Sequence, residues 1–383
     1  ADKVYYQSCM VPHWVRGAKE EVKLVPAQKG VRPVSLAALS LGNAVGTGPK
    51  GITAPLLVVK DFAELEQRKD EAKGKIVYYQ YPFDQTLIHT FEGYRDAVRY
   101  RGNGASTAAK YGAVGVLIRS VTPSFDHHPH TGSLRYNDSF PKIPAVAIGT
   151  LDAEWLNNEA LQKPGALKIF LRTHCQMLPD TLANNVIAEL RGTEFPEEII
   201  TIGGHLDSWD AGEGAHDDGA GIVQSIQVLE ALKSIGYRPK RTIRVVLFAN
   251  EENGLRGGTK YAEEAKKNNE KHILAIESDA GGFTPRAFTG TMKEEQFARF
   301  SSWKPLLKPY GIDDMGKGGG GADIGPLNRT LGTPVVGLQP DSQRYFDVHH
   351  APSDVFEAVN RRELHLGAVA ITALVYLADK YGL

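Results

Sequence analysis

The chain has 383 residues, 42% of them hydrophobic and 23% charged, and its formal net charge is −1. This is the composition of a globular protein with room for two domains. The charge gives no electrostatic basis for binding nucleic acid or an anionic membrane surface, and no apolar run approaches the roughly twenty residues of a membrane span. Two cysteines, Cys9 and Cys175, exclude a disulfide framework but leave a single bridge open.

The first 45 residues contain two candidate strands, in the segments KVYYQSCMVPHWVRG and EEVKLVP. A stretch rich in proline and glycine, 46–55, separates them from the middle of the chain. We expect residues 1–45 to join the sheet formed by the end of the chain, as the N-terminal part of one large domain.

Residues 46–177 show a separate pattern of short predicted strands and helices. Four short apolar segments, GKIVYYQ, AVGVLIRS, IPAVAIG and ALKIFLRT, indicate strands, and helices are expected near 106–111 and 152–161. We therefore predict an inserted domain here, which interrupts the larger one.

Residues 178–383 alternate between strands and helices. The segments NVIAEL, EIITIGG, TIRVVLFAN, HILAIESD and TPVVGLQ predict strands, and helices are predicted at 220–235, 255–268, 293–310 and 361–381. The segment GKGGGGADIGP predicts a flexible loop. Near-continuous apolar strands linked by helices indicate an α/β fold with a mixed, mostly parallel sheet flanked by helices.

Polar residues cluster just after or between these predicted strands. They are His205 and Asp207 in GGHLDSWD, Asp217 and Asp218 in GAHDDGAG, Glu251 and Glu252 in NEEN, Asp279 in ESDAGG, and His349, His350 and Asp354 in VHHAPSD. Each one alone could be a helix cap, a turn residue or a buried histidine. Together they should converge, because the carboxyl ends of parallel strands lie along one edge of the sheet.

The predicted cluster has a charge problem that metal ions would solve. Its likely carboxylates, Asp207, Asp217, Glu251, Glu252 and Asp279, would carry a formal charge of −5. Without counter-charge they would repel one another and shift towards protonation. Two divalent ions would supply the balance, and imidazole with carboxylate ligands suits zinc.

The order of these segments resembles that of the co-catalytic di-zinc aminopeptidase family. The similarity extends over nearly the whole chain and includes VPHWVRG, HTGSLRY and RPKRTIRVVLFANEE. It implies a peptidase domain at 178–383 completed by residues 1–45, with a β-rich protease-associated domain inserted at 46–177. It also implies two zinc ions per chain.

The resemblance assigns the metal ligands residue by residue. It implies that Asp217 bridges the two ions, that His205 and Asp279 complete one site, and that Glu252 and His350 complete the other. His349 is adjacent to His350, and the spacing of four residues to Asp354 favours His350 as the ligand.

The resemblance also implies catalytic roles. Glu251 would be the general base, Asp207 would orient the His205 imidazole through its carboxylate, and Tyr345 would stabilise the oxyanion of a tetrahedral intermediate. A cis peptide bond is implied after Asp217.

Two local features call for their own interpretation. His216 stands where relatives more often carry Asn or Met, so an additional hydrogen bond or a stray ligand is expected there. The histidines at 127, 128 and 130 resemble a second metal cluster, but no carboxylate motif accompanies them and a loop is favoured.

The function so implied is that of a zinc-dependent exopeptidase for dipeptides or short unblocked peptides, acting through a bridging hydroxide. Secretion or a periplasmic location after removal of a signal peptide, and a homodimer, are further implications of the resemblance. Two alternatives remain open. One is a catalytically inactive binding ectodomain of the transferrin-receptor kind, and the other is a related zinc enzyme such as a glutaminyl cyclase. The complete ligand set opposes the first, and the inserted domain opposes the second.

Overall fold

The computed structural model describes residues 1–26, 28 and 30–383. The strands in chain order are β1 (Lys3–Val15), β2 (Glu21–Val25), β3 (Val34–Leu36), β4 (Ala38–Ser40), β5 (Ile52–Val59), β6 (Ile76–Tyr79), β7 (Gly115–Arg119), β8 (Ala145–Ile148), β9 (Lys168–Arg172), β10 (Gln176–Leu190), β11 (Phe195–His205), β12 (Arg241–Phe248), β13 (Lys271–Glu277), β14 (Pro285–Thr291), β15 (Asp314–Lys317) and β16 (Val335–Pro340).

The helices follow the same numbering along the chain. They are α1 (Phe62–Gln67), α2 (Thr90–Ala109), α3 (Thr150–Gln162), α4 (Ala220–Ser234), α5 (Glu251–Gly254), α6 (Arg256–Lys267), α7 (Glu294–Ser302), α8 (Lys304–Leu307), α9 (Gly325–Leu331), α10 (Tyr345–Val348) and α11 (Arg361–Tyr381). Among the residues that the structure describes, no helix is both long enough and apolar enough to cross a membrane.

The chain divides into two compact units. The first unit consists of Ala1–Val11, Asp180–Tyr345 and Asp354–Leu383, and the second consists of Pro12–Pro179 and Phe346–Ser353. Both cysteines are buried as free thiols, so the single bridge that the sequence left open is not formed.

The first unit is built on an eight-stranded sheet with the order β1-β10-β12-β11-β13-β16-β14-β15. Its centre, β12-β11-β13-β16, is parallel, whereas β10 and β14 pair antiparallel with their neighbours β12 and β16. One face packs against α4, α7, α8 and α11, and the other packs against α6 and α9. The predicted mixed, mostly parallel sheet between helices is confirmed.

The second unit has its own eight-stranded sheet, with the order β3-β2-β9-β5-β6-β7-β8-β4. The four strands β5 to β8 are parallel, and β2, β4 and β9 pair antiparallel. Apolar side chains of the sheet pack with Ala153 and Leu156 of α3 in a separate core.

The placement of residues 12–45 differs from the prediction. We expected residues 1–45 to join the later sheet, but β2 pairs with β9 and β4 pairs with β8, so only Ala1–Val11 lies in the first unit. Strand character was visible in the sequence, whereas the pairing partner depends on contacts distant along the chain.

Several element boundaries also differ. The helix α2 is much longer than the predicted 106–111. The prediction was too short because glycines and polar residues weaken the apolar periodicity of this segment. The predicted helix 293–310 breaks after α7, where Pro305 and Pro309 interrupt the pattern. The predicted flexible loop contributes Gly316 and Lys317 to β15, which pairs with β14.

Candidate metal centre

His205 is the last residue of β11, a central strand of the first unit, and its exposed fraction is 1%. Its Nδ1 atom lies 2.7 Å from the backbone carbonyl oxygen of Asp207. Because a carbonyl can only accept, this contact places the proton on Nδ1 and leaves the lone pair on Nε2. The imidazole therefore presents Nε2 as a metal ligand.

Two carboxylates face that nitrogen. His205 Nε2 lies 3.2 Å from Asp217 Oδ1 and 3.5 Å from Asp279 Oδ1. The three ligand atoms all lie within 4.8 Å of one another. One imidazole and two carboxylates form a donor set that fits zinc, and the structure thus brings together all three residues predicted for one metal site.

The charges of this cluster act on the histidine. Burial alone would lower the pKa of His205, but the negative charges of Asp279 and Asp217 outweigh it, and the pKa is raised well above its ordinary value. An ion bound between these groups would supply the positive charge that the proton otherwise provides.

The carboxylate of Asp207 has a different partner from the one predicted. Its Oδ1 atom lies 4.0 Å from His205 Nδ1, which is too far for a hydrogen bond. Oδ1 instead accepts from the backbone amide of Glu251 at 2.9 Å, and Oδ2 accepts from that of Glu252 at 3.2 Å. Asp207 therefore holds the imidazole with its carbonyl and the start of α5 with its carboxylate.

Glu251 and Glu252 open α5, directly after β12. The preceding residue, Asn250, has a φ of +64° and turns the chain sharply at the end of the strand. Burial raises the pKa of Glu251 well above its usual range, and the charges of Asp279 and Glu252 raise it further. A carboxyl group with a raised pKa suits general acid–base chemistry near neutral pH.

Asp218 is a positioning residue to which the sequence analysis gave no role. It is buried, and its carboxylate accepts from the backbone amides of His205 and Gly221, both at 3.0 Å. A Cβ atom at Gly204 or Gly221 would collide with this carboxylate, which explains glycine at both positions. The peptide bond between Asp217 and Asp218 is cis, as the family resemblance implied.

His216 takes up the additional hydrogen bonds that its position suggested. Its Nδ1 accepts from the amide of Gly282 at 3.0 Å, and its Nε2 lies 3.2 Å from the carbonyl oxygen of Ala358. The ring stacks on Phe283 with centroids 4.3 Å apart. With both nitrogens used on backbone groups, His216 is a structural residue.

Asp354 is a second positioning carboxylate. Its Oδ1 accepts from the amide of His216 at 2.7 Å, and its Oδ2 accepts from the amide of Asp217 at 3.1 Å. Asp354 entered the prediction only through its spacing from His350. Its contact with this turn could not be predicted, because Asp354 lies 137 residues from Asp217 along the chain.

Tyr345 is the last residue of the first unit before the chain enters the second, and its side chain is buried. Burial raises the pKa of its hydroxyl well above the ordinary value, and the charges of Asp217 and Asp279 raise it further. The hydroxyl consequently stays protonated and can donate a hydrogen bond.

Glu277 and Asp323 extend the acidic region beyond the predicted residues. Burial raises the pKa of Glu277 to about 7, with a further contribution from the charge of Asp279. The Oε2 atom of Glu277 accepts from the amide of Ile324 at 2.9 Å. A Cβ atom at Gly321 would collide with the Glu277 carboxyl, so this part of the glycine-rich loop is packed against it.

His350 belongs to the second unit, where it is buried. Its Nδ1 atom lies 3.3 Å from the carbonyl oxygen of Thr131 and 3.3 Å from Nη1 of Arg101. The ring stacks on that of His349 with centroids 3.6 Å apart. These contacts occupy Nδ1, and the role of His350 as a metal ligand stays a prediction from the family resemblance.

The other histidine group lies in the second unit, at positions 127, 128 and 130. His130 is buried, its Nδ1 lies 2.7 Å from the carbonyl oxygen of His349, and burial lowers its pKa to about 4. Among the described residues, His127, His128 and His130 do not form a group of metal donors. The favoured loop interpretation is in line with these contacts.

Known proteins resemble the chain over nearly its whole length. The profile of Peptidase family M28 matches residues 185–375. Carboxypeptidase Q of Xenopus laevis is 40% identical over 378 residues, which cover 98% of this chain and 77% of that protein. Carboxypeptidase Q of Homo sapiens is 38% identical over 378 residues, covering 98% and 76%. Within the aminopeptidase family, the segments GGHLDSWD and YFDVHH resemble those of carboxypeptidase Q. The two relatives confirm this resemblance.

Solved structures give the same result. The crystal structure of a peptidase M28 precursor from Shewanella amazonensis SB2B matches with a TM-score of 0.92 and 32% identity, covering 99% of this chain and 84% of that one. A zinc aminopeptidase from Bacillus subtilis matches with a TM-score of 0.68, covering 98% and 84%, and its 22% identity shows a shared fold alone. The protein therefore belongs to peptidase family M28 and is a metallo-exopeptidase.

Proposed function

We propose that the protein hydrolyses dipeptides and short unblocked peptides and holds two zinc ions per chain to do so. The observation that carries this proposal is the convergence of His205 Nε2 with one oxygen each of Asp217 and Asp279. These three residues would hold one ion. For the second ion, Asp217, Glu252 and His350 are proposed from the family resemblance.

Bound zinc would supply Lewis acidity, which polarises a peptide carbonyl and lowers the pKa of water. The Glu251 carboxylate would accept a proton from the attacking water and deliver it to the leaving amine. A pKa raised by burial and by the charges of Asp279 and Glu252 supports this task, because it makes the carboxylate a stronger base than an exposed glutamate. The Tyr345 hydroxyl, which stays protonated, would donate to the carbonyl oxygen as negative charge develops there.

The carboxylate of Asp207 would set the geometry of proton transfer. By holding the amides of Glu251 and Glu252, it fixes the start of α5 and with it the direction of the Glu251 side chain. Its carbonyl fixes the His205 tautomer at the same time. A single residue would thus position both the proposed base, Glu251, and a proposed metal ligand, His205.

Three broader features of the protein are also proposed. The second unit would be the protease-associated domain, with Pro12 rather than residue 46 as its start. The protein would act outside the cytoplasm, and two copies would form a homodimer. These features rest on the family resemblance.

Metal analysis combined with peptide digestion tests the proposal. We expect about two zinc ions per chain, loss of activity on chelation and recovery when zinc is added back. Unblocked dipeptides should be cleaved, while a long peptide blocked at both ends should resist. Active enzyme with one ion or none, or efficient internal cleavage of the blocked peptide, would contradict the proposal.

A further inference from the structure

The second unit contains a cleft of about 1000 Å³ that the proposed peptidase function does not use. It lies at the carboxyl ends of the parallel strands β5, β6 and β7. Lys60 and Asp61 follow β5, Tyr81 follows β6 shortly after its end, and Arg119 is the last residue of β7. Open parallel sheets bind ligands at this edge, and the volume is at the upper end for ligand pockets.

Arg119 is a buried arginine that is only partly paired. Its side chain is 7% exposed, and Nη1 contacts Glu154 Oε1 at 2.5 Å. Its Nε atom is buried and has no hydrogen-bond partner among the described residues. A buried guanidinium nitrogen without a partner is costly. Because the guanidinium lines the cleft, an incoming carboxylate can take up its remaining capacity.

Two further cations line the same cleft. The Arg99 guanidinium lies over the rings of Tyr81 and Tyr100, 5.8 Å and 5.4 Å from their centroids, and Lys60 is exposed. An arginine held on aromatic rings loses little freedom when it binds an anion.

The acids of the cleft already have partners of their own. Asp61 Oδ1 accepts from the amide of Glu64 at 2.8 Å and caps α1. Asp84 Oδ1 accepts from both the amide and the hydroxyl of Thr86. Glu154 is paired with Arg119. The lining is formally neutral, with Lys60, Arg99 and Arg119 against Asp61, Asp84 and Glu154, and its two arginines bring guanidinium donors to the cleft.

An apolar wall adjoins these cations. Phe125 is 58% exposed, although it lines the cleft beside Tyr81 and Phe83. The Gln85 side chain donates to the carbonyl oxygen of Pro123 at 2.8 Å, which ties the segment after β6 to the one that carries Phe125. The wall is thus held in place, with one large ring open to a partner.

We propose that this cleft binds a short peptide that carries a carboxylate next to an aromatic side chain. The carboxylate pairs with Arg119 and Arg99, and the aromatic ring packs on Phe125 and Tyr81. The carboxylate can belong to an acidic side chain or to the end of a peptide, since both present the same two oxygens.

Calorimetric titration of the zinc-loaded full chain with three probes tests this. The probes are acetyl-Tyr-Glu-amide, acetyl-Tyr-Gln with a free carboxyl end, and the neutral acetyl-Tyr-Gln-amide. We expect at least one acidic probe to bind roughly tenfold more tightly than the neutral one. The better of the two acidic probes identifies the source of the carboxylate.

Matched variants locate the binding. Arg99→Gln should weaken the acidic probe roughly two- to fivefold, and Phe125→Ala should weaken all three probes. Arg95→Gln changes an exposed arginine one turn earlier on α2, outside the cleft lining, and should have no effect. Removing zinc with a chelator should also leave probe binding unchanged, because the residues that line the cleft do not belong to the proposed metal centre.

The outcomes separate this site from the proposed function. Equal affinity for the three probes, no saturable binding, or equal losses in Arg95→Gln and Arg99→Gln would overturn the cleft proposal. Loss of probe binding when zinc is removed would also overturn it and place the binding at the peptidase site. Zinc content and dipeptide cleavage are measured independently of these results.

Discussion

The Oδ2 atom of Asp354 accepts a hydrogen bond from the backbone amide of Asp217 at 3.1 Å. The same carboxylate accepts from the amide of His216, so it holds two successive amides of the turn before α4. Asp207 does the same for the two amides that open α5. Both proposed ligand segments are therefore positioned by a carboxylate that need not touch a metal ion.

Replacing Asp354 should affect metal binding and stability together. Asn offers one carbonyl oxygen for two amides, so Asp354→Asn leaves one amide without its partner. We expect a loss of about 1–3 kcal/mol in the free energy of unfolding and zinc affinity roughly 10–100-fold weaker. Urea unfolding and competition with a chelating dye measure the two effects.

Asp341→Asn is a suitable control for that variant. Asp341 also accepts from a backbone amide, that of Gln343, at the start of a short turn. Asn caps such turns nearly as well as Asp, so zinc affinity should stay at the wild-type value. Wild-type zinc affinity in Asp354→Asn as well would show that the turn keeps its shape without the carboxylate.

Changing each of the adjacent glutamates to glutamine should have a different effect on activity and on zinc binding. Glu251→Gln keeps the proposed zinc ligands but cannot accept a proton, so kcat should fall by about 10²–10⁴-fold with both ions retained. Glu252→Gln removes a charged ligand, so one ion should bind much more weakly and excess zinc should restore part of the activity.

Metal titration beside single-turnover kinetics compares the two glutamate variants. Loss of zinc in Glu251→Gln but not in Glu252→Gln would reverse the two roles. Full activity in both variants would leave the pair without a part in the reaction.

Glu277 should make the zinc-free protein less stable as the pH rises from about 4.5 to about 7. The folded state raises the pKa of Glu277 from 4.5 to about 7, so the folded protein holds this proton more tightly than the unfolded chain does. In that window the folded state binds more protons, and the free energy of unfolding therefore falls with pH, by at most about 1.4 kcal/mol per pH unit for this group.

Glu277→Gln removes that contribution. Urea unfolding of the chelated protein at several pH values should show a shallower decline in the variant than in the wild type. Parallel curves for the two proteins would mean that Glu277 does not titrate in this range.

Two glycine substitutions should have opposite effects. A Cβ atom at Gly221 would collide with the carbonyl oxygen of Ser278 and with the Asp218 carboxylate, so Gly221→Ala should destabilise the protein by about 1–3 kcal/mol. Gly102 lies inside α2 with open space around it, and Gly102→Ala should add about 0.5–1 kcal/mol. Thermal unfolding of both variants measures the two changes in stability. A Gly102→Ala variant that is less stable than the wild type would contradict the prediction for that position.

The central sheet of the first unit could be predicted because its strands are apolar on both faces and its helices keep a regular period. Ile202 and Val245 are buried on one face of the sheet, and Val246 and Ala275 are buried on the other, which produces the continuous apolar runs. The strand β14, with the sequence PRAFTGT, lacks such a run and was missed. The strand β14 takes its structure from its neighbours β15 and β16, with which it pairs on its two sides.

The candidate site could also be predicted only in part. The types and order of His205, Asp217 and Asp279 predicted their convergence, and they do converge. The partners of Asp207 could not be predicted, because whether a carboxylate meets an imidazole or an amide depends on differences of about one ångström. The contribution of Asp218 was hidden for the same reason.

The chain contributes Phe346–Ser353 to the second unit after it has formed most of the first. This segment limits how simply the second unit can be removed from the protein. In that unit Phe346 is buried and stacks with Tyr94, their ring centroids 4.7 Å apart. Excision of residues 12–179 would strip those neighbours from an apolar segment that the remaining chain still carries. A minimal catalytic fragment therefore needs a redesigned connection between Tyr345 and Asp354, and in evolution the second unit could be gained or lost only together with a change in that connection.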